Sequence, residues 1–193
     1  MNSPGLRERK KQKTRWAIQE HALRLFAQQG YDATTVEQIA AAAEISPSTF
    51  FRYFKTKEDV VVEDEYDPMM VAAMEAAPAD LAPIPAIRHA LREAFSQIGA
   101  DERQKVLERT KLILSVPALR ARTLENLAAT IDIMAEPMAR RSGRDAKDFA
   151  VRAFAGACVG AWLAAIQEWI DSDGAKDLAD LMDEALGALE TGL

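Results

Sequence analysis

The sequence predicts an all-α protein of about nine helices, arranged as a small N-terminal three-helix unit followed by a larger helical part. Apolar residues recur at spacings of three and four along almost all of the 193 residues, which is the period of a half-buried helix. No segment alternates apolar and polar residues with the period of two that a strand requires. Ser, Thr and Asp at helix starts, with Gly and Pro at the breaks, punctuate the pattern as helix caps and stops do.

Taken in order, Thr14 to Gln29 carries Ile18, Ala22, Leu25 and Phe26 on one face, and Gly30 stops it. In Thr34-Thr35-Val36-Glu37-Gln38 either threonine suits the cap of a second, short helix whose third residue is Glu37 or Gln38, with Val36, Ile39 and Ala40 turned inward. Ser46-Pro47 announces a third helix, running to about Tyr53, because serine caps and proline tolerates the first turn. Thr56-Lys57-Glu58-Asp59 opens a fourth helix towards Tyr66 with a hydroxyl cap and two early acids. Pro68, Pro78, Pro83 and Pro85 mark a boundary. The expected organisation is a basic, flexible arm at 1–13, a head at 14–66 and a C-terminal domain at 67–193. Beyond the boundary, Ile84, Ile87, Leu91, Ala94, Phe95 and Ile98 define one helix, and Asp101 to about Ser115 a second. Pro117 then separates the helix Ala118 to Arg141. The last two run from about Asp145 to Asp171 and from Ala175 to Leu189, divided by Ser172-Asp173-Gly174.

The charge is unevenly spread. Met1 to Lys57 holds 10 Lys/Arg against 5 Asp/Glu, a net of +5, which leaves −11 on the remainder of a chain whose total is −6. A basic front on an acidic body points to a polyanion partner at the front. A single cysteine, Cys158, allows no internal disulfide, no apolar run reaches the roughly 18 residues of a membrane span, and the N-terminus lacks the apolar core of a signal peptide. The expected location is therefore the cytoplasm, with no membrane partner. An enzyme is disfavoured: His21 and His89 lie on different helices, Cys158 sits in an apolar run, and neither a phosphate loop nor metal-ligand spacing occurs. No catalytic residue, metal or cofactor is expected.

A short helix, a tight turn and a second short helix starting Ser-Pro form a helix-turn-helix, whose second helix fits a major groove about 12 Å wide. Ser46, Ser48, Thr49, Arg52 and Tyr53 supply an outward polar face between the inward Phe50 and Phe54. Thr34, Thr35, Thr56 and Lys57 stand at helix N-termini suited to phosphate oxygens. Residues Thr34 to Val60, including Ser-Pro-Ser-Thr-Phe-Phe-Arg-Tyr-Phe-Lys-Thr-Lys-Glu-Asp-Val, closely resemble the DNA-binding signature of the TetR family of transcriptional regulators. That resemblance implies base approach by Pro47, Ser48, Thr49 and Phe51, and phosphate contact by Thr35, Tyr53 and Lys57. The candidate double-stranded-DNA contact set is Arg15, Thr34, Thr35, Ser46, Pro47, Ser48, Thr49, Phe51, Arg52, Tyr53, Lys55 and Lys57. The family commonly has glycine where this chain has Glu44, and a side chain at positive φ there costs about 1 kcal/mol. For the basic arm, two readings stand side by side: contact with the DNA backbone or minor groove, or diffuse attraction alone.

A head of this size reads too few base pairs alone, so a homodimer on a palindromic operator is expected. Fourteen uncharged residues from Ala153 to Ile166, rich in Ala and Gly, suit close helix approach. The resemblance implies that the last two helices build the dimer interface, with Phe149, Ala153, Gly156, Gly160, Trp169, Leu178 and Leu181 as candidates. It also implies a small-molecule effector among the middle helices, for which Leu91, Phe95, Leu112, Arg120, Met134, Phe154, Trp162 and Ile166 are the candidate pocket. The stretch Leu112 to Arg122, with Asp64-Glu65-Tyr66-Asp67-Pro68, resembles mycofactocin-type regulators associated with acyl-CoA-like ligands, whose phosphates would meet Arg88, Arg92, Arg109, Arg120 or Arg122. The function expected is a ligand-released repressor. The alternatives are a ligand-dependent activator of the same fold, or a helical small-molecule-binding protein without a DNA role.

Overall fold

A computed structural model describes residues 5–63, 72–96 and 98–192, and every regular element among them is helical. The helices are α1 (Leu6–Gln29), α2 (Val36–Ala42), α3 (Pro47–Tyr53), α4 (Lys57–Val62), α5 (72–76), α6 (Pro83–Ser96), α7 (Ala100–Ser115), α8 (Pro117–Ser142), α9 (Phe149–Asp171) and α10 (Leu178–Thr191). The chain divides into two compact units. One is formed by the chain up to Glu63 together with Leu112–Thr123, and the other by the remainder. Helices α7 and α8 therefore give residues to both, and the head is not the contiguous segment 14–66 that the proline cluster suggested.

The expected arm at 1–13 is corrected in part. Helix α1 begins at Leu6, because Leu, Arg, Glu, Lys and Gln are all good helix formers and extending an existing helix costs far less than nucleating one. Residues 1–4 of that arm lie outside the described residues. The expected run of α4 towards Tyr66 is corrected: the helix ends at Val62 with Glu63 extended as its C-cap, and 64–66 lie outside the described residues.

The head is held by local caps and a small aromatic core. Thr35 and Gln38 form a capping box on α2, Ser46 caps α3 by accepting from Thr49 N–H at 3.1 Å, and Thr56 and Asp59 form a second capping box on α4. Each such cap contributes about 1 kcal/mol. Ile18, Ala22 and Phe26 of α1 meet Ile39, Phe50, Phe54, Val60 and Val61 in the core, and Leu119 of α8 completes it at 0% exposure. The turn between α2 and α3 does place Glu44 at φ 55. Its N–H reaches Ala41 O at 3.1 Å, while Ile45 N–H reaches Ala40 O at 2.9 Å, so the strained residue closes the end of α2.

In the second unit, α9 packs along α10, and α10 against α6. Ile87, Leu91, Val151, Ala155, Cys158, Trp169, Leu178 and Met182 are among its buried residues. Arg88 clamps α6 to α10 through two bonds to Asp183, of 2.7 and 2.6 Å, and Arg92 adds a third at 2.8 Å. Arg141 donates to the carbonyls of Met74, Ala77, Pro78 and Leu81, which satisfies the open C-terminal end of α5. By length and composition α9 is apolar enough to cross a membrane, with an 18-residue window of mean hydropathy 1.7. This corrects the count of uninterrupted apolar runs, which Arg152 had cut short. One side of the helix is buried in the unit's core through Val151, Ala155, Cys158, Val159, Ala165 and Trp169.

Candidate nucleic-acid interface and effector cavity

Helix α3 is only two turns long, so its two faces are set by few residues. Phe50 and Phe54 point inward with ring centroids 5.9 Å apart, and Phe50 meets Phe51 edge-on at 5.4 Å. This leaves Ser46, Pro47, Ser48, Phe51, Arg52 and Lys55 exposed, with Thr49 and Tyr53 partly so. The Ser46 hydroxyl lies 2.8 Å from that of Ser48 and 3.0 Å from that of Thr49, a chain of hydroxyls along the first turn. Phe51 is 52% exposed, a large apolar ring held out in water among polar neighbours. Arg52 lies over the Tyr53 ring at 5.7 Å. Thr35 is exposed at the start of α2 and Thr56 at the start of α4.

Three of the candidate DNA residues are turned to internal work. Thr34 is 1% exposed; its hydroxyl donates to Gly30 O at 2.8 Å and accepts from Gln29 at 3.1 Å. It has no surface to offer a phosphate, because Thr35, one residue on, takes the cap. Lys57 Nζ donates to Tyr31 O at 2.9 Å and Thr34 O at 3.1 Å, and stands 3.9 Å from the centroid of the Tyr31 ring. It braces the turn between α1 and α2 with two of its three donors. Arg15 lies over Phe54 at 4.4 Å, donates to Tyr53 O at 3.3 Å and pairs with Glu63. It ties the C-terminal end of α3 to α1 and positions the helix.

Two further head interactions have no signal in sequence. Asp59 is 0% exposed, and beyond its capping role it accepts from Arg122 Nε at 2.9 Å. Arg122 is thereby removed from the set of phosphate candidates for an effector. The Tyr31 hydroxyl donates to Glu58 at 2.6 Å. Burial, and after it this carboxylate, holds the tyrosine protonated above its ordinary range. For Glu58 burial pushes upward, but the Tyr31 hydrogen bond and the start of α4 outweigh it and leave the carboxyl below its usual range.

The second unit contains an apolar cavity of about 60 Å³ lined by Ile87, Leu91, Thr130, Ile133, Met134, Cys158, Val159, Trp162, Met182 and Leu186. Leu91, Met134 and Trp162 of the expected pocket line it. Phe154 and Ile166 pack against the core instead. Phe95 lines a different recess of about 360 Å³, with Leu107, Trp169 and Leu178, where Arg103 is tied to Ile98 O at 3.1 Å and to Asp177 at 3.0 Å. Leu112 and Arg120 belong to the first unit; Leu112 packs on the head core. Burial alone pushes the Cys158 thiol up to about 11, so it stays protonated and behaves as a small apolar group.

The outer side of α9 presents Phe149, Ala153, Ala157, Gly160, Leu163 and Ala164, all exposed, with Phe149 at 86%. Of the expected interface, Trp169 and Leu178 are instead buried within the unit's own core, at 6% and 9% exposure; they fall on the inward stripe of their helices. Gly156 and Leu181 are partly buried.

Comparison with known proteins fits this arrangement. Residues 18–63 match the family profile described as bacterial regulatory proteins, tetR family, and residues 81–193 match the MftR C-terminal domain. The chain is 37% identical over 154 residues to the HTH-type transcriptional regulator TcmR of Streptomyces glaucescens, covering 76% of this chain and 68% of that one. It is 30% identical over 183 residues to the putative mycofactocin biosynthesis transcriptional regulator MftR of Mycobacterium tuberculosis, covering 93% and 89%. Among solved structures, Thermus thermophilus FadR, a transcriptional repressor in complex with lauroyl-CoA, superposes with a TM-score of 0.59 at 25% identity, covering 93% of this chain and 94% of that one. The capped two-turn helix with its polar outer face, the helical body behind it and these matches along nearly the whole chain lead to one assignment: the protein belongs to the TetR family of bacterial transcriptional regulators.

Proposed function

We propose that this regulator is a cytoplasmic repressor that binds a palindromic operator as a homodimer and is released by a largely apolar effector of the acyl-CoA class. The observation that carries the DNA reading is the outer face of α3. The Ser46 hydroxyl caps the helix and anchors the hydroxyls of Ser48 and Thr49 beside it, and with the exposed Phe51 these form the face on which Pro47, Ser48, Thr49 and Phe51 address base edges. Thr35, Ser46, Arg52, Tyr53 and Lys55 serve the flanking phosphates. The exposed apolar row on α9 supports dimerisation, since a row of this length in contact with water favours association with a second copy.

The effector class rests on the cavity's lining and on the lauroyl-CoA bound to the T. thermophilus relative. A cavity of about 60 Å³ is far below the several hundred Å³ of a small-molecule site. Entry of an acyl chain therefore requires Met134, Met182 and Trp162 to move, and the methionines are suited to that by their unbranched, pliable side chains. The effector acts by binding the non-DNA conformation better; a 10- to 100-fold loss of DNA affinity needs about 1.4–2.8 kcal/mol of coupling.

The test is selection of genomic duplexes with the purified full chain, followed by titration with lauroyl-CoA and with acetyl-CoA. A palindromic fragment should be enriched, and lauroyl-CoA but not acetyl-CoA should weaken its binding by about 10- to 100-fold. Absence of any preferred fragment would remove the operator reading. Equal effects of the two thioesters would remove the acyl-chain reading.

A further inference from the structure

The recess of about 360 Å³ beside Phe95 is much larger than the acyl-chain cavity, and all of its walls come from the second unit. Its floor is apolar, built from Phe95 of α6, Val106 and Leu107 of α7, Trp169 of α9 and Leu178 of α10. Its rim carries Arg103, Gln104, Lys176 and Asp177. An apolar space of about 150 Å³ holds one benzene ring, so the recess suits a body of about two rings. Aromatic walls such as Trp169 and Phe95 favour a flat occupant. The acyl-chain cavity, at about 60 Å³, is too small for even one ring.

The rim's charges are held in place by the fold. Arg103 donates through Nε to Ile98 O at 3.1 Å, through one terminal nitrogen to Asp177 at 3.0 Å and through the other to Phe95 O at 3.3 Å. Of its five N–H groups this leaves one on each terminal nitrogen, the pair that a carboxylate accepts in a two-bond contact. Asp177 is already occupied, because its other oxygen accepts from the Ala179 and Asp180 N–H groups that open α10. Lys176 pairs with Glu168, which is not part of the lining, and adds a second cation to the rim. The nearby carbonyls are covered as well: Arg103 takes those of Phe95 and Ile98, and Trp169 O accepts from Gly174 N–H and the Ser172 hydroxyl, both at 2.9 Å. The lining thus offers two cations against one carboxylate, above an apolar floor.

We propose that this recess is a second small-molecule site, taking a bicyclic aromatic carboxylate whose rings lie on Trp169 and Phe95 and whose carboxylate accepts from Arg103. It stands apart from the acyl-CoA reading above, since no residue lines both cavities.

The probe is 2-naphthoate, with 2-naphthamide as its uncharged counterpart of the same shape, each titrated calorimetrically into the full chain at pH 7. One 2-naphthoate per protomer is expected, with a dissociation constant of about 1 mM or below. The amide should bind about 5- to 10-fold more weakly, because a charge-assisted bond is roughly twice as strong as a neutral one. Val106→Trp fills the floor and should abolish binding of both probes. Arg103→Lys keeps the charge but not the paired donors, and should remove most of the preference for the anion. Circular dichroism checks that each variant is folded. Lys176→Gln changes an exposed residue, and should weaken 2-naphthoate about 2- to 5-fold while leaving the amide unchanged. No saturable binding overturns the proposal, as do equal affinities for the two probes and full-strength binding to Val106→Trp, which places the probe elsewhere. Displacement of 2-naphthoate by lauroyl-CoA overturns the separate site and makes the recess one end of the acyl effector's own. Lauroyl-CoA that fails to bind, with 2-naphthoate bound as described, counts against the acyl-CoA reading and leaves this site standing.

Discussion

At the scale of single residues, the turn between α2 and α3 carries the clearest strain. Glu44 holds φ 55 where a glycine would rest without penalty. Glu44→Gly is expected to raise the stability of the head by roughly 0.5–1 kcal/mol, the relief of φ strain being partly offset by the freer unfolded chain; urea unfolding of the full chain checks it. Arg122 works in the opposite sense. Removing it takes the cation from the carboxylate of Asp59 at 0% exposure, which keeps the Thr56 N–H of its capping box, so Arg122→Ala should cost about 3 kcal/mol. The double variant Arg122→Ala/Asp59→Asn should lose less than the sum of the two single changes, which a double-mutant cycle measures. The caps were legible in the sequence because each joins residues three apart. Thr35 with Gln38, Ser46 with Thr49 and Thr56 with Asp59 need no knowledge of the fold. The pairing of Asp59 with Arg122, 63 positions away, has no local trace. The same holds for Lys57, whose two carbonyl acceptors lie 26 and 23 positions earlier in the chain.

At the scale of elements, the α6–α10 clamp makes a pH-dependent contribution. The hydrogen bonds from Arg88, offset in part by burial, hold the Asp183 carboxyl below its ordinary range, with the charges of Arg88 and Arg92 adding to the effect. A carboxylate with a lowered folded-state pKa stabilises fully above its unfolded value, about 3.9 for Asp, and the contribution is lost as pH falls through the lowered folded value. Asp183→Asn should therefore reduce stability by about 1–3 kcal/mol at pH 7, with the difference from wild type closing in acid; melting curves between pH 7 and 3 read it. The α9–α10 turn is fixed by space as well as by φ. Gly174 has φ +75, and a Cβ there would lie 2.7 Å from Leu107 Cδ2. Gly174→Ala should lower the melting temperature, and Leu107→Ala in that background should relieve the clash but not the backbone strain. Helix identity was readable from the spacing of three and four, and Leu91, Met134 and Trp162 line the cavity because they share inward faces. Which apolar neighbours leave a gap, and which close on one another, depends on packing. For that reason Phe95 faces a separate recess, and Phe154 and Ile166 join the core.

At the scale of the whole molecule, assembly and DNA binding are expected to separate cleanly in variants. Gly160 faces open space, with nothing within 4 Å of an added Cβ, so Gly160→Glu should leave the protomer folded. It should shift the mass in solution from twice 21.2 kDa to that of one chain and weaken operator binding by more than tenfold. Light scattering and circular dichroism test both halves, and a tightly associated Gly160→Glu dimer would refute the α9 interface. Ser48→Ala and Phe51→Ala, in contrast, should keep the dimer and alter preference at particular base pairs, each by about 1–3 kcal/mol. The charge division read from the sequence, +5 up to Lys57 and −11 from Glu58 onward, was legible because it needs only counting. The true outline of the head was not, because the prolines that mark a boundary near Pro68 say nothing of chain that returns later.

That return has a bearing on how freely evolution or an engineer can exchange parts. Leu119 fills the middle of the head core, Leu112, Ile113 and Val116 pack around it, and Arg122 neutralises its buried acid. A cassette cut at Glu63 would leave all of these behind, together with a hole where Leu119 belongs. Chimaeras that graft this DNA reader onto another sensor will need to carry Leu112–Thr123 with it. Specificity in this protein is thus transplanted as two pieces of chain rather than one.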